Sequence, residues 1–180
     1  MALLAEELVE EWLNRQGYFT IRGVKLGVHE MDLLAIRPTP QGMECRQLEV
    51  QASVHPVSYI TRVPKAVQRQ TGRAAGSAKL REDGELRESV REWIQKKFDH
   101  PDKRRLRQIL GPGPWSRELV VHVVKHTREL ELIEEAGITI RRLADIVVDL
   151  KKGGPVLNGA AGAHLVELVA MTTGDAEAEA

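Results

Sequence analysis

The chain has 180 residues, 26 Lys+Arg and 26 Asp+Glu, so its formal charge is zero. That length suits one domain with an appendage, and 42% apolar residues suffice for a core without a staple. A single cysteine, Cys45, excludes an internal disulfide framework and a cysteine-based zinc cluster.

The opening Met1-Ala2-Leu3-Leu4-Ala5-Glu6 has no basic flank, and its apolar run stops after five residues, unlike a signal peptide. No stretch approaches the ~18 uninterrupted apolar residues of a membrane helix. The expectation is a cytoplasmic protein without membrane contact. The zero charge hides an asymmetry. Residues 1–60 hold five basic and eight acidic residues, residues 61–128 seventeen and eight, and residues 129–180 four and ten. A middle third at +9 points to a polyanion partner or to a solvated charged helical face.

Residues 2–16 predict an amphipathic helix, with Leu4, Leu8, Val9, Trp12 and Leu13 at helical spacing and Gly17 as its stop. Strands are predicted over 18–25, 30–37 and 44–52, with turn chemistry at 38–42. Their short connections predict an antiparallel meander. Residues 64–110 read as basic helices broken at Gly72, Gly76, Gly84 and Pro101. The best of these runs over 85–98. Residues 118–124 give the strongest buried-strand signal. Thr127 is the expected cap of a helix ending at Gly137. A short strand over 138–140 and a helix over 143–150 follow. The fold class is therefore α/β: a mixed β-sheet flanked by helices in the order α-β-β-β-α-β-α-β, with a helical basic segment, 61–114, inserted. One domain spans 1–152. Residues 153–180 are a linker, a helix over 160–171 and an acidic tail.

Three acidic residues carry the chemistry. Asp32 heads the apolar run Leu33-Leu34-Ala35-Ile36. Glu49 and Gln51 flank Val50, so they share one strand face while Leu48 and Val50 face the core. Asp32 on the next strand approaches Glu49 at the cross-strand spacing of about 5 Å. Two carboxylates that close repel, and a hard cation such as Mg²⁺ or Mn²⁺ resolves the conflict. Glu6 is a further acceptor if the first helix packs beside the meander. The competing reading is a solvated strand face.

Ala5-Glu6-Glu7-Leu8-Val9 with Trp12-Leu13 and Gly17-Tyr18, then Met31-Asp32-Leu33-Leu34-Ala35-Ile36, then Leu48-Glu49-Val50-Gln51-Ala52-Ser53, resemble the motifs of the PD-(D/E)XK nuclease superfamily. The likeness covers residues 5–53 and is nearest the Holliday-junction-resolvase-like and Mrr-like branches. It implies a restriction-endonuclease-like fold and Mg²⁺- or Mn²⁺-dependent endonuclease hydrolysis of DNA, with a homodimer. Asp32 and Glu49 would be metal ligands, the Val50 carbonyl a third, and Glu6 an outer ligand. Gln51 stands where the family has lysine. It can orient water but carries no charge. Lys65, opening the next helix, is a candidate relocated lysine. The same helix offers Gln68, Arg69 and Arg73 as nucleic-acid contacts. The basic run continues through Arg62, Lys79 and Arg81, then Lys96-Lys97, Lys103-Arg104-Arg105 and Arg107. Such contacts give affinity without sequence choice.

Other candidates are weaker. His122 and His126 share a face of the predicted strand but lack a third metal ligand. His29 and His55 flank the carboxylates as possible proton carriers. Cys45 shares strand parity with Glu49 but has no partner that would make it a nucleophile. The opposing functional readings are a nuclease-fold module that binds nucleic acid without catalysis, motivated by Gln51, and a protein-interaction domain built on the helical middle.

Overall fold

The computed structural model describes residues 2–53 and 55–152. The expected appendage, its helix and its acidic tail lie outside them. Helix α1 (Ala2–Arg15) is followed by strands β1 (Phe19–Leu26), β2 (His29–Thr39) and β3 (Gly42–Gln51). Helices α2 (Lys65–Thr71), α3 (Asp83–Lys97) and α4 (Pro101–Leu110) come next, then β4 (Trp115–Val121), α5 (Thr127–Glu135), β5 (Thr139–Arg142) and α6 (Leu143–Lys152). This is the α-β-β-β-helical-β-α-β-α order expected. Among the described residues no helix is long and apolar enough to cross a membrane.

The five strands lie in the order β1-β2-β3-β4-β5. β1, β2 and β3 form an antiparallel meander, whereas β4 runs parallel to β3 and β5 parallel to β4. A parallel neighbour cannot be reached by a tight turn. The 52–114 connection therefore returns the chain to the far end of the sheet, and its helices α3 and α4 cover one face on the way.

Strand parity sorts the core. Leu33, Ala35, Leu48, Val50 and Val120 face α1 and α6, where Val9, Leu13, Ile146 and Leu150 fill the layer. Leu119 and Val121 face the opposite way, against Val90, Trp93, Phe98, Leu130 and Ile133 of the α3–α5 layer. Fully burying a side chain of that size contributes about 1.5–3 kcal/mol. Glu49 and Gln47 share the second face and are fully covered, so that face is not the solvated one considered from the alternation.

Local differences have local causes. Gly84 does not break the helical segment. It lies in the first turn of α3, where its conformational freedom costs less than in a helix interior. Thr127 is the first helical residue of α5 and His126 occupies the cap, with no side-chain cap bond. β4 starts and ends earlier than its apolar run, so His122 lies beyond it and is exposed. Gly137 does end α5's turn, at φ +78°.

Charged groups inside the fold are paired. Glu118 takes two bonds from Arg46, at 2.6 and 2.7 Å, and one from Arg141. Both guanidinium groups lie about the Trp12 ring, at 5.0 and 5.2 Å from its centroid. Buried Glu129 pins the loop before α2, accepting the amides of Ile60 at 2.6 Å and Thr61 at 3.0 Å.

Candidate active site

The β2–β3 ladder ends at the pair Leu33↔Leu48. Beyond it the next residues, Asp32 and Glu49, share the face toward α3 and α4. Asp32 closes the gap with its side chain. The Val50 amide donates to Asp32 Oδ2 at 2.8 Å, which leaves Oδ1 for another partner. That partner is Lys97, whose Nζ lies 3.7 Å from Asp32 Oδ1 and 2.5 Å from Glu49 Oε2. The two carboxylates thus converge on one ammonium group.

Lys97 is the last residue of α3, and neighbouring Phe98 is fully buried, edge-on to Trp93 at 5.6 Å. The Lys97 carbonyl is held by Gln47 Nε2 and by Lys103 Nζ, both at 2.9 Å. Lys103 and Arg107 lie one turn apart on α4 and therefore point the same way. Lys103 Nζ also reaches the Glu30 carbonyl at 2.5 Å and Glu49 Oε1 at 3.5 Å. Arg107 donates to Gln47 Oε1, and Gln47 Nε2 lies 3.2 Å from Glu49 Oε1. The carboxylate of Glu49 is met by three polar groups, Lys97, Lys103 and Gln47, from α3, α4 and β3.

Burial sets the electrostatics. Desolvation, reinforced by the Asp32 charge, pushes the Glu49 carboxyl up to about 7, against the pull of Lys97 and Lys103. Desolvation alone would lower Lys97, but the charges of Glu49 and Asp32 outweigh it and hold the ammonium above its ordinary range. Lys103 goes the other way, lowered chiefly by burial. Glu6 feels the same field: burial first, then Asp32 and Glu30, raise its carboxyl. His29 and His100 meet at the rim with ring centroids 3.8 Å apart, and burial, His100 and Lys103 lower His29.

The expected residues divide. Asp32 and Glu49 are brought together, Glu6 lies in the field of Asp32, and Val50 contributes its amide to Asp32. Gln51 is half-buried two residues beyond Glu49 on the same side of β3. Lys65 is not the site's lysine: it is exposed, and its amide faces Glu92 of α3 at 3.3 Å. Gln68 and Arg73 are engaged within the protein, by the Val63 carbonyl at 2.6 Å and by Glu85 at 2.8 Å. Arg69 is exposed and reaches only back along its own helix to the Lys65 carbonyl at 3.3 Å. Lys97, Lys103, Arg107 and Arg81, expected along a phosphate backbone, do not face outward. Lys103, Arg107 and Arg81 are buried, and Lys97 points at the carboxylates. His55 is exposed, and His126 stacks on Tyr59 at 4.4 Å. Cys45 is buried against Gly111.

What the sequence reading missed is the inward cationic set of Lys97, Lys103 and Arg107. Its available signal was the spacing of Lys103 and Arg107 on a helix opened by Pro101, which gives α4 one basic face.

Among the described residues no three His, Cys, Asp or Glu side chains gather as a metal group. The donor set that does converge, Asp32 with Glu49, already holds the Lys97 ammonium. Asp32 and Glu49 offer two hard oxygen donors, the donor type that Mg²⁺ and Mn²⁺ take while keeping several waters.

No family model matches the chain, and no curated protein matches it. A solved structure titled as a protein of unknown function, AF1548, aligns over 89% of this chain and 73% of its own, at 11% identity and a TM-score of 0.48.

Proposed function

We propose that this protein is a metal-dependent nuclease-like hydrolase of phosphodiester bonds in DNA. The observation that carries the reading is the convergence of Asp32 and Glu49 on a single cation at the end of the β2–β3 ladder. The motif resemblance of residues 5–53 and the observed element order support it.

In this reading Asp32 and Glu49 hold Mg²⁺ or Mn²⁺, and Glu6 adds an outer acceptor. The bound metal supplies an activated water and charge at the scissile phosphate. The chain's own groups do the rest. Asp32, tethered to the Val50 amide, keeps Oδ1 aimed at the cation. Lys103 stays on Glu49 Oε1 and fixes that carboxylate's orientation. Lys97 provides the positive charge that Gln51 lacks, and Gln51 orients water by hydrogen bonding. The exposed cations Lys65, Arg69, Lys96, Arg104 and Arg105 supply backbone contacts.

The test is cleavage of plasmid, single-stranded and branched DNA with Mg²⁺ or Mn²⁺, by the wild type and by Asp32→Asn and Glu49→Gln. Cleavage dependent on metal and lost in both variants is expected. Activity that survives both rejects the site.

A second reading has its own observation. Lys97 and Lys103 neutralise both carboxylates without a metal. A nuclease-fold module that binds nucleic acid without cleaving it fits that arrangement. Calorimetry with Mn²⁺ separates the two: salt-dependent DNA binding without any metal site favours the module.

A further inference from the structure

Resting on the proposed metal site, we infer that Lys97 is an exchangeable ammonium. It occupies the cation position between Asp32 and Glu49 until a divalent metal displaces it, and it then turns to a phosphate of the nucleic acid.

The two lysines at the site are built differently. Lys103 is 1% exposed and has three oxygen acceptors: the Glu30 carbonyl, the Lys97 carbonyl and Glu49 Oε1. It fills every donor position and has no reason to leave. The Lys97 side chain is 20% exposed, and among the described residues its ammonium meets two carboxylates, Glu49 Oε2 at 2.5 Å and Asp32 Oδ1 at 3.7 Å. Its backbone is fixed by Phe98 and by bonds to its carbonyl, so the stem alone can move. A four-carbon stem anchored at the end of α3 can lift its head to solvent while the helix stays in place.

Charge gives the exchange a direction. With both lysines seated, two positive and two negative side chains cancel. A divalent cation in place of the Lys97 head leaves the centre positive, and the freed ammonium adds another charge at its mouth. Phosphate is therefore attracted to the loaded site and not to the empty one. The other charged groups facing this centre are Glu6, Glu30, Arg22 and Arg107, with His29 and His100 at the rim. None of them is among the bonds that hold the Lys97 head.

The experiment pairs two titrations on the full chain at pH 8. Mn²⁺ binding is measured by calorimetry for the wild type and Lys97→Met. A phosphorothioate duplex, which resists hydrolysis, is then titrated by fluorescence anisotropy with and without Mn²⁺. Loss of the competing ammonium is expected to tighten Mn²⁺ by at least about tenfold, a difference of ~1.4 kcal/mol. Mn²⁺ is expected to strengthen duplex binding by the wild type about tenfold and by Lys97→Met distinctly less. Tighter metal with weaker coupling is a pair of opposite effects that a merely structural lysine does not produce. Equal or weaker Mn²⁺ affinity in Lys97→Met, with binding intact in the wild type, overturns the exchange alone. No Mn²⁺ binding by either protein overturns the metal site as well. Lys97→Gln, which keeps a polar head, replaces Lys97→Met if the latter does not fold by circular dichroism.

Discussion

Asp32 and Val50 are joined across the end of the β2–β3 ladder by a side chain bonded to a backbone amide, Val50 N to Asp32 Oδ2 at 2.8 Å. One oxygen of Asp32 therefore does a strand's work while the other faces Lys97. Asp32→Ala removes both functions and leaves a buried amide unpaired, at a cost of about 1–3 kcal/mol. Asp32→Asn keeps an acceptor for Val50. Denaturant melts are expected to show the alanine variant destabilised and the asparagine variant near wild type. Calorimetry is expected to show Mn²⁺ affinity lost in both.

Glu49 sets a pH dependence with a defined sign. Its folded pKa, about 7, lies above the ordinary 4.5, so the folded state holds the proton more tightly. Its contribution to stability is complete below about 4.5 and is lost as pH rises through 7, by roughly 1–3 kcal/mol. Glu49→Gln is expected to flatten that part of the stability–pH curve. Metal needs the carboxylate ionised, so Mn²⁺ affinity should climb between pH 6 and 8 and level off above. An affinity flat across that range would place the metal elsewhere.

Glu118 is a buried carboxylate of the other kind. The hydrogen bonds from Arg46 and Arg141 overcome its desolvation and hold it below its ordinary range. Its contribution is present above 4.5 and lost as pH falls through the lowered value. Glu118→Ala strands the buried Arg46 guanidinium and should cost about 3–5 kcal/mol. Any Mn²⁺ site should be unchanged in the protein that remains folded, which a thermal melt and a metal titration would check together.

The proposed nucleic-acid contacts can be sorted by substitution. Lys65 and Arg69 are exposed, whereas Arg73 is tied to Glu85. Lys65→Ala and Arg69→Ala are each expected to lower DNA affinity and to reduce the salt slope by about one. Arg73→Ala is expected to leave that slope alone and to lower the melting temperature instead.

Gly111 sets how close the end of α4 comes to the sheet. A Cβ there would lie 2.7 Å from Cys45 Sγ, a contact that real side chains do not make. Gly111→Ala should therefore cost about 1–3 kcal/mol by overpacking. Because α4 carries Lys103 and Arg107, the same change should weaken Mn²⁺ binding without touching a ligand.

The meander and the carboxylate pair were legible because both depend on short-range rules. Alternation over 44–52 and short connections determine which residues can lie opposite one another. The cationic half was not legible, since Lys97 and Lys103 reach Glu49 from 48 and 54 positions away in sequence. A run of lysines reads as solvated surface until packing buries it. Phe98 and the α4 turn after Pro101 do that here, and neither announces which lysine will face inward. The fate of Thr127 shows the same limit at small scale: a capping residue type sat one position inside its helix.

The hairpin between β2 and β3 reverses over residues 40–41, with Thr39 paired to Gly42. Loop length fixes strand register, and side-chain direction alternates at each residue. The two-residue reversal and the buried face of β2 together set which residues lie opposite, down to Asp32 and Glu49 just past the far end of the ladder. The acidic pair is thus tied to a turn at the opposite end of the hairpin, and a loop change that shifts the register would misalign the centre without altering one residue within it.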